Sequence, residues 1–218
     1  KPHTEGLSWQ GMFELPPSQM ATLYLRLAGA PVTELDVRNY GAEGTRLAMR
    51  LYKTVDPDLE YIRGAITSPR NDEAFEATVG RVFTILGFEG LPLVCDKRLS
   101  DSVDILAVDR GEGYLLAIEC TLKSLDTQGK LGKLKVRIHE LAEALPLLKV
   151  RGVAVSAAKR SALLQGDVEK AGEGMLAVLS QEDLLSLIEL AHDGQPTSVA
   201  LELIKNRVSS ESVGILGW

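Results

Sequence analysis

Asp104 and Glu119 are the residues whose type and spacing could do chemistry. Each stands in an apolar run, Val103-Asp104-Ile105-Leu106-Ala107-Val108 and Leu115-Leu116-Ala117-Ile118-Glu119-Cys120, and Arg110-Gly111-Glu112-Gly113 lies between the runs. Such runs read as buried strands, and the glycine-bearing segment as a hairpin turn. With a four-residue loop, Asp109 pairs with Tyr114, and the same register sets Asp104 opposite Glu119. A loop one residue shorter or longer would shift the register and weaken this pairing. Cross-strand partners hold their Cβ atoms about 4.5–5.5 Å apart. Two carboxylates at that distance repel each other unless a proton or a cation stands between them. Carboxylate oxygens suit a hard divalent cation, Mg²⁺ or Mn²⁺. Strand alternation places Glu119, Thr121 and Lys123 on one face, so an ammonium there could orient an attacking water or neutralise a developing phosphate charge. Solvated charges on half-exposed strands are the competing explanation, and the apolar neighbours on both sides argue against it.

The elements that must position these residues follow from periodicity. Before the hairpin, Asn71 or Asp72 caps a helix whose apolar face is Phe75, Val79, Val82, Phe83 and Leu86, with Glu73 and Glu76 in its first turn and Gly87 at its end. A short strand is expected over 91–95, a second over 102–109 and a third over 114–123. A helix over 129–149 follows, with Leu131, Leu134, Ile138, Leu141, Ala142 and Leu145 as its buried stripe. Strands at 152–156 and 175–179 alternate with helices at 163–171 and 181–191. The order is α-β-β-β-α-β-α-β-α, an antiparallel meander feeding parallel crossovers and hence a mixed sheet flanked by helices. Residues 1–70 read as a β-rich N-terminal region with three alternating segments, beginning at Met20, Val32 and Thr45, and turns at 29–31 and 41–44. The domain boundary is expected at 67–71, and 192–218 as a tail carrying one helix over 197–206.

Composition narrows the function classes. The 218 residues carry a net charge of −6, with 45% hydrophobic residues, which is globular chemistry without a uniformly basic coat. The charge is unevenly placed: residues 71–123 are net −5, whereas 124–160 are net +5. A carboxylate-rich stretch is thus followed by a basic one, through which a polyanion could approach. No apolar run is long enough for a spanning helix, and no apolar leader opens the sequence. Two cysteines, Cys95 and Cys120, sit in apolar runs and read as reduced thiols of a cytoplasmic protein. The three histidines show no ligand spacing. The first residue is Lys1, so the chain reads as a piece of a longer protein.

Asp104, the string Glu119-Cys120-Thr121-Leu122-Lys123, the preceding helix beginning Asn71-Asp72-Glu73-Ala74-Phe75-Glu76 and the lysine-rich helix after it together resemble the PD-(D/E)XK nuclease superfamily over residues 71 to about 157–191. The resemblance implies an α/β, restriction-endonuclease-like core of αβββαβ order in a nuclease-like domain over 71–191. It implies Asp104 and Glu119 as catalytic metal ligands for Mg²⁺ or Mn²⁺, with the Cys120 backbone carbonyl as a further ligand. Glu76 matches the glutamate often found on the first helix, able to reach the metal through water, or is only a first-turn charge. The family's lysine stands two residues after the acid, where this chain has Thr121. Three alternatives follow: Lys123 reaches back, Lys130 or Lys133 on the next helix takes its place, or the chemistry is lost. Lys130, Lys133, Lys135 and Arg137 form the expected nucleic-acid-binding edge.

The functional expectation is a metal-dependent nuclease hydrolysing phosphodiester bonds in DNA, with DNA favoured over RNA and no membrane partner. The alternative is a catalytically inactive nuclease-like module binding nucleic acid or a protein partner. Either could act as a homodimer or within a larger multidomain protein.

Overall fold

The structure is a computed structural model that describes the backbone of residues 20–27, 30–38, 40–92, 103–109, 111–173 and 175–208, with side chains over 48–90, 103–109, 111–173 and 175–208. The chain divides into two units, Lys1–Glu43 and Gly44–Trp218. In the first, β1 (Met20–Leu27) and β2 (Ala30–Arg38) pair antiparallel, Met20 opposite Arg38, with a register shift between Leu25 and Arg26. These are the first two alternating segments expected from the sequence. The expected turn at 29–31 falls partly outside the described residues.

The third expected strand is a helix, α1 (Tyr40–Val55), which also absorbs the turn expected at 41–44. Leu47, Met49 and Leu51 alternate in sequence, but Met49 and Tyr52 are the pair that packs into the core, while Leu51 is 61% exposed. That i, i+3 spacing is helical, and tertiary burial decides between the two periods. A short helix, α2 (Glu60–Thr67), follows, with Ile62 and Ile66 buried. Asp56 holds its start by accepting from the amides of Tyr61 and Ile62. Because Met49, Leu59, Ile62 and Ile66 belong to the main core, the unit boundary lies before residue 44 rather than at 67–71.

The next helix, α3 (Asp72–Ile85), begins as expected: the Asn71 side chain accepts from the Ala74 amide at 2.8 Å. Its expected apolar face is buried throughout. Then come β3 (Glu89–Pro92), β4 (Ile105–Asp109), β5 (Tyr114–Thr121), α4 (Lys130–Ala144), β6 (Lys149–Ser156), α5 (Gln165–Glu173), β7 (Ala177–Leu179), α6 (Gln181–His192) and α7 (Thr197–Lys205). The sheet order is β3-β4-β5-β6-β7. The first two pairings are antiparallel and the last two parallel. The mixed sheet with flanking helices is as expected, although the first strand begins at Glu89 rather than 91, and its remainder to 95 lies outside the described residues.

Alternation along β5 divides the core in two. Tyr114, Leu116, Ile118 and Cys120 face the cluster containing residues of α2, α3, α6 and α7, whereas Ala117 faces Leu131 and Leu134 of α4. Gly152 of β6 lets α4 lie close: a Cβ there would collide with Ile138 and come 2.5 Å from Leu176. The expected C-terminal tail instead extends the domain. Ala200, Leu201 and Ile204 of α7 are buried, and Thr197 Oγ1 donates to the Leu86 carbonyl at 2.8 Å.

Candidate metal centre

The hairpin has the four-residue loop on which the site depends. Asp109 pairs with Tyr114 and Ile105 with Ile118, so the register carries Asp104, one residue before β4, to a place opposite Glu119. Asp104 Oδ2 accepts from the Cys120 amide at 2.7 Å, adding a carboxylate-to-backbone bond where the ladder stops. Glu119 is next but one to Ala117 on β5 and therefore lies on the α4 side. Burial pushes the Cys120 thiol well above its ordinary value, so this residue's polar contribution is its carbonyl.

A lysine reaches both acids. Lys130 Nζ lies 2.8 Å from Glu119 Oε1 and 3.8 Å from Asp104 Oδ2, and donates to the Cys120 carbonyl at 2.8 Å. All three expected metal-binding groups thus surround one ammonium. Its aim comes from the start of α4. Gln128 (φ 57°, ψ 26°) and Gly129 (φ 72°, ψ 25°) are consecutive left-handed residues that reverse the chain. Asp126 Oδ1 then accepts from the Leu131 amide at 3.2 Å, while Lys170 of α5 pairs with the Asp126 carboxylate. Leu131 and Leu134 anchor the turn in the core.

Lys123 stands beyond the end of the strand on which its face was expected. β5 ends at Thr121, whose hydroxyl accepts from the Lys123 amide at 3.1 Å and donates to the Ser124 carbonyl at 3.3 Å. That turn ends the alternation on which the shared face depended, and Lys123 is exposed.

Burial sets the electrostatics. It pushes up the carboxyls of Asp104 and Glu119, the latter also through the charge of Asp104. The Cys120 amide and Lys130 oppose the shift at Asp104, and Lys130 with Lys133 opposes it at Glu119. Glu76 of α3 is buried and pushed up to about 7, first by burial and then by Asp104. For Lys130, burial acts downward, yet its bond to Glu119 and the charges of Asp104, Glu119 and Glu76 raise it overall. Glu76 therefore shares the field of the two acids. Among the described residues no group of three or more His, Cys, Asp or Glu side chains is placed to hold a metal ion. The donor set is two carboxylates and one main-chain carbonyl, all oxygen and already gathered on one positive charge, which fits a hard divalent cation.

No protein-family model matches the sequence, and no curated protein matches it. Among solved structures, the chain is similar to the small subunit, R.BspD6I2, of the heterodimeric restriction endonuclease R.BspD6I, with a TM-score of 0.52 and 17% identity over 79% of this chain and 91% of that one. The fold is restriction-endonuclease-like. At this identity the likeness carries the fold, and the site stands on the residues themselves.

On this restriction-endonuclease-like scaffold the four expected nucleic-acid-binding residues separate. Lys130 turns inward to the acids, while Lys133 is exposed and near enough to act on Glu119. Lys135 is half-buried and acts on Asp126, and Arg137 is paired with Glu140 at 2.6 Å. A cleft of about 390 Å³ between α2 and α3, lined in part by Tyr61, Ser68, Arg70, Thr78 and Arg81, contains none of the acids. The residues that sequence reasoning missed are those that aim Lys130: Asp126, Gln128 and Gly129. The glycine just before the helix was the available signal. Among the described residues no helix is long and apolar enough to cross a membrane.

Proposed function

We propose that this protein hydrolyses phosphodiester bonds in DNA at the Asp104–Glu119 centre, using Mg²⁺ or Mn²⁺. One observation carries the reading: Asp104, Glu119 and the Cys120 carbonyl converge on a single positive group in the restriction-endonuclease-like fold. The likeness to a restriction-endonuclease subunit supports DNA over RNA, and supports action as one part of a larger assembly. A divalent ion, when bound, supplies Lewis acidity and makes water acidic enough to attack at neutral pH.

The chain's own residues do the rest. Asp104 and Glu119 present carboxylate oxygens from adjoining strand ends, and the backbone bond from Cys120 fixes the first of them. Lys130 supplies the ammonium that Thr121 cannot, close enough to steady an attacking oxygen or the charge that builds on the phosphate. Exposed Lys133 meets a flanking phosphate, and binding through such contacts weakens as salt rises. Glu76 is a buried carboxyl on α3 that, in the ion-free protein, burial and the charge of Asp104 push up to about 7. The inactive-module alternative drew on the lysine missing from position 121 and on the acidic total charge; Lys130 against Glu119 and the Cys120 carbonyl supports the active reading on the first of these.

The test is nicking of supercoiled plasmid by purified protein. Cutting with Mn²⁺ or Mg²⁺ that stops in EDTA is expected. Intact plasmid under all these conditions would overturn the proposal.

A further inference from the structure

The cation position is filled by the chain itself. The oxygens suited to a divalent ion are the same ones that hold Lys130 Nζ, two of them at 2.8 Å. A divalent ion binds oxygen at about 2.0–2.1 Å in the case of Mg²⁺. An ammonium left among those oxygens would meet the ion at a distance where like charges strongly repel. We propose that Lys130 is an exchangeable internal cation: it holds Asp104, Glu119 and the Cys120 carbonyl in place in the ion-free protein and withdraws when a divalent ion enters. This rests on the metal-centre reading and adds what governs its occupancy.

Three features support the exchange. First, the acids need a cation. Asp104 and Glu119 are partly buried, with side chains 18% and 16% exposed, and the charges of both act on buried Glu76, so without a counter-charge their repulsion opposes the site's geometry. Second, the lysine can leave. Its side chain is 25% exposed and sits on the first residue of α4, so a rotamer change takes Nζ off the acids' oxygens to the open side of the site, where it still meets a bound phosphate. Third, the helix need not follow. Leu131, Leu134 and the Asp126–Leu131 bond hold the first turn independently of the Lys130 side chain. Exchange therefore weakens metal affinity by competition and leaves the metal-free protein ordered.

The experiment is calorimetric titration of the full chain with MnCl₂, together with thermal unfolding in EDTA and in Mn²⁺. Lys130→Met removes the competitor, and Lys149→Met removes the same charge from β6 at the end where it pairs with Tyr114, remote from Glu119. The expected result is that Lys130→Met binds Mn²⁺ at least about tenfold more tightly than wild type, with Lys149→Met unchanged. In EDTA, Lys130→Met should melt below wild type, and Mn²⁺ should raise its Tm by more than it raises that of wild type. If Lys130→Met does not fold, Lys130→Gln is titrated instead, since it keeps a hydrogen-bond donor without the charge. Wild-type binding that is lost in Glu119→Gln but not strengthened by either Lys130 variant would overturn the exchange and leave the metal centre standing. No Mn²⁺ binding by wild type or the Lys130 variants would overturn both.

Discussion

The amide of Cys120 donates to Asp104 Oδ2 at 2.7 Å, so one carboxylate both ties the two strand ends together and faces the cation position. The two roles separate by substitution. Asp104→Asn keeps an oxygen that accepts from the amide and should hold stability within about 1 kcal/mol of wild type while removing cleavage. Asp104→Ala orphans the part-buried amide and should cost about 1–3 kcal/mol besides. Urea unfolding alongside plasmid nicking reads both effects.

Lys130 and Lys123 give opposite expectations. Lys130 Nζ bonds Glu119 and the Cys120 carbonyl, whereas Lys123 lies exposed beyond the end of β5. Lys130→Met should lower the single-turnover cleavage rate by about 10²–10³, the usual cost of losing one positioned charge donor. Lys123→Met should retain most of the rate. The reverse ranking would return the amine's role to the strand.

Glu76 makes metal-free stability depend on pH. Burial, and then Asp104, raise its carboxyl from 4.5 to about 7. Between those values the folded state binds more protons than the unfolded state, so this group's contribution falls as pH rises through the window. Glu76→Gln stays neutral throughout. In EDTA it should gain urea resistance over wild type above about pH 7 and show no such gain near about pH 4. An equal difference at both ends would contradict the assignment.

The buried carboxylate of Asp183 should matter more to stability than the surface ion pairs. It accepts from the Ser180 amide at 2.8 Å and the Ser180 hydroxyl at 2.7 Å, and pairs with Arg207 at 2.7 Å and with Arg160. Burial acts upward on this carboxyl, but the bonds from Ser180 and Arg160 outweigh it and hold it below its usual value. Its contribution is therefore present above the ordinary aspartate range and is lost as pH falls through the lowered value. Asp183→Ala should cost about 3–5 kcal/mol at neutral pH, against no more than about 1 for Arg63→Met, which breaks the exposed pair with Glu189. Urea midpoints measure both.

The strands and the two acids were legible in the sequence, whereas their register was conditional on a four-residue loop, the length that the Asp109–Tyr114 pairing has. The amine was not legible. Strand alternation pointed first to Lys123, but the hydroxyl of Thr121 turns the chain, and two left-handed residues then bring Lys130 back to the acids. Such a reversal depends on backbone dihedrals that hydrophobic period does not encode. Between 40 and 67 the signal was present and misread. Met49 with Tyr52, and Ile62 with Ile66, stand at helical spacing, while the alternation of Leu47, Met49 and Leu51 mimicked a strand. α7 was placed correctly, but its burial depends on contacts with distant α3, such as Thr197 to Leu86, which local pattern cannot show.

The convergence of Asp104, Glu119 and the Cys120 carbonyl on one ion is tested most directly by anomalous scattering from a crystal of this protein soaked in MnCl₂. The account predicts a manganese peak bonded to both carboxylates and to that carbonyl, with Lys130 Nζ moved away from them. Strong manganese peaks elsewhere, with Lys130 still seated between the acids, would contradict it.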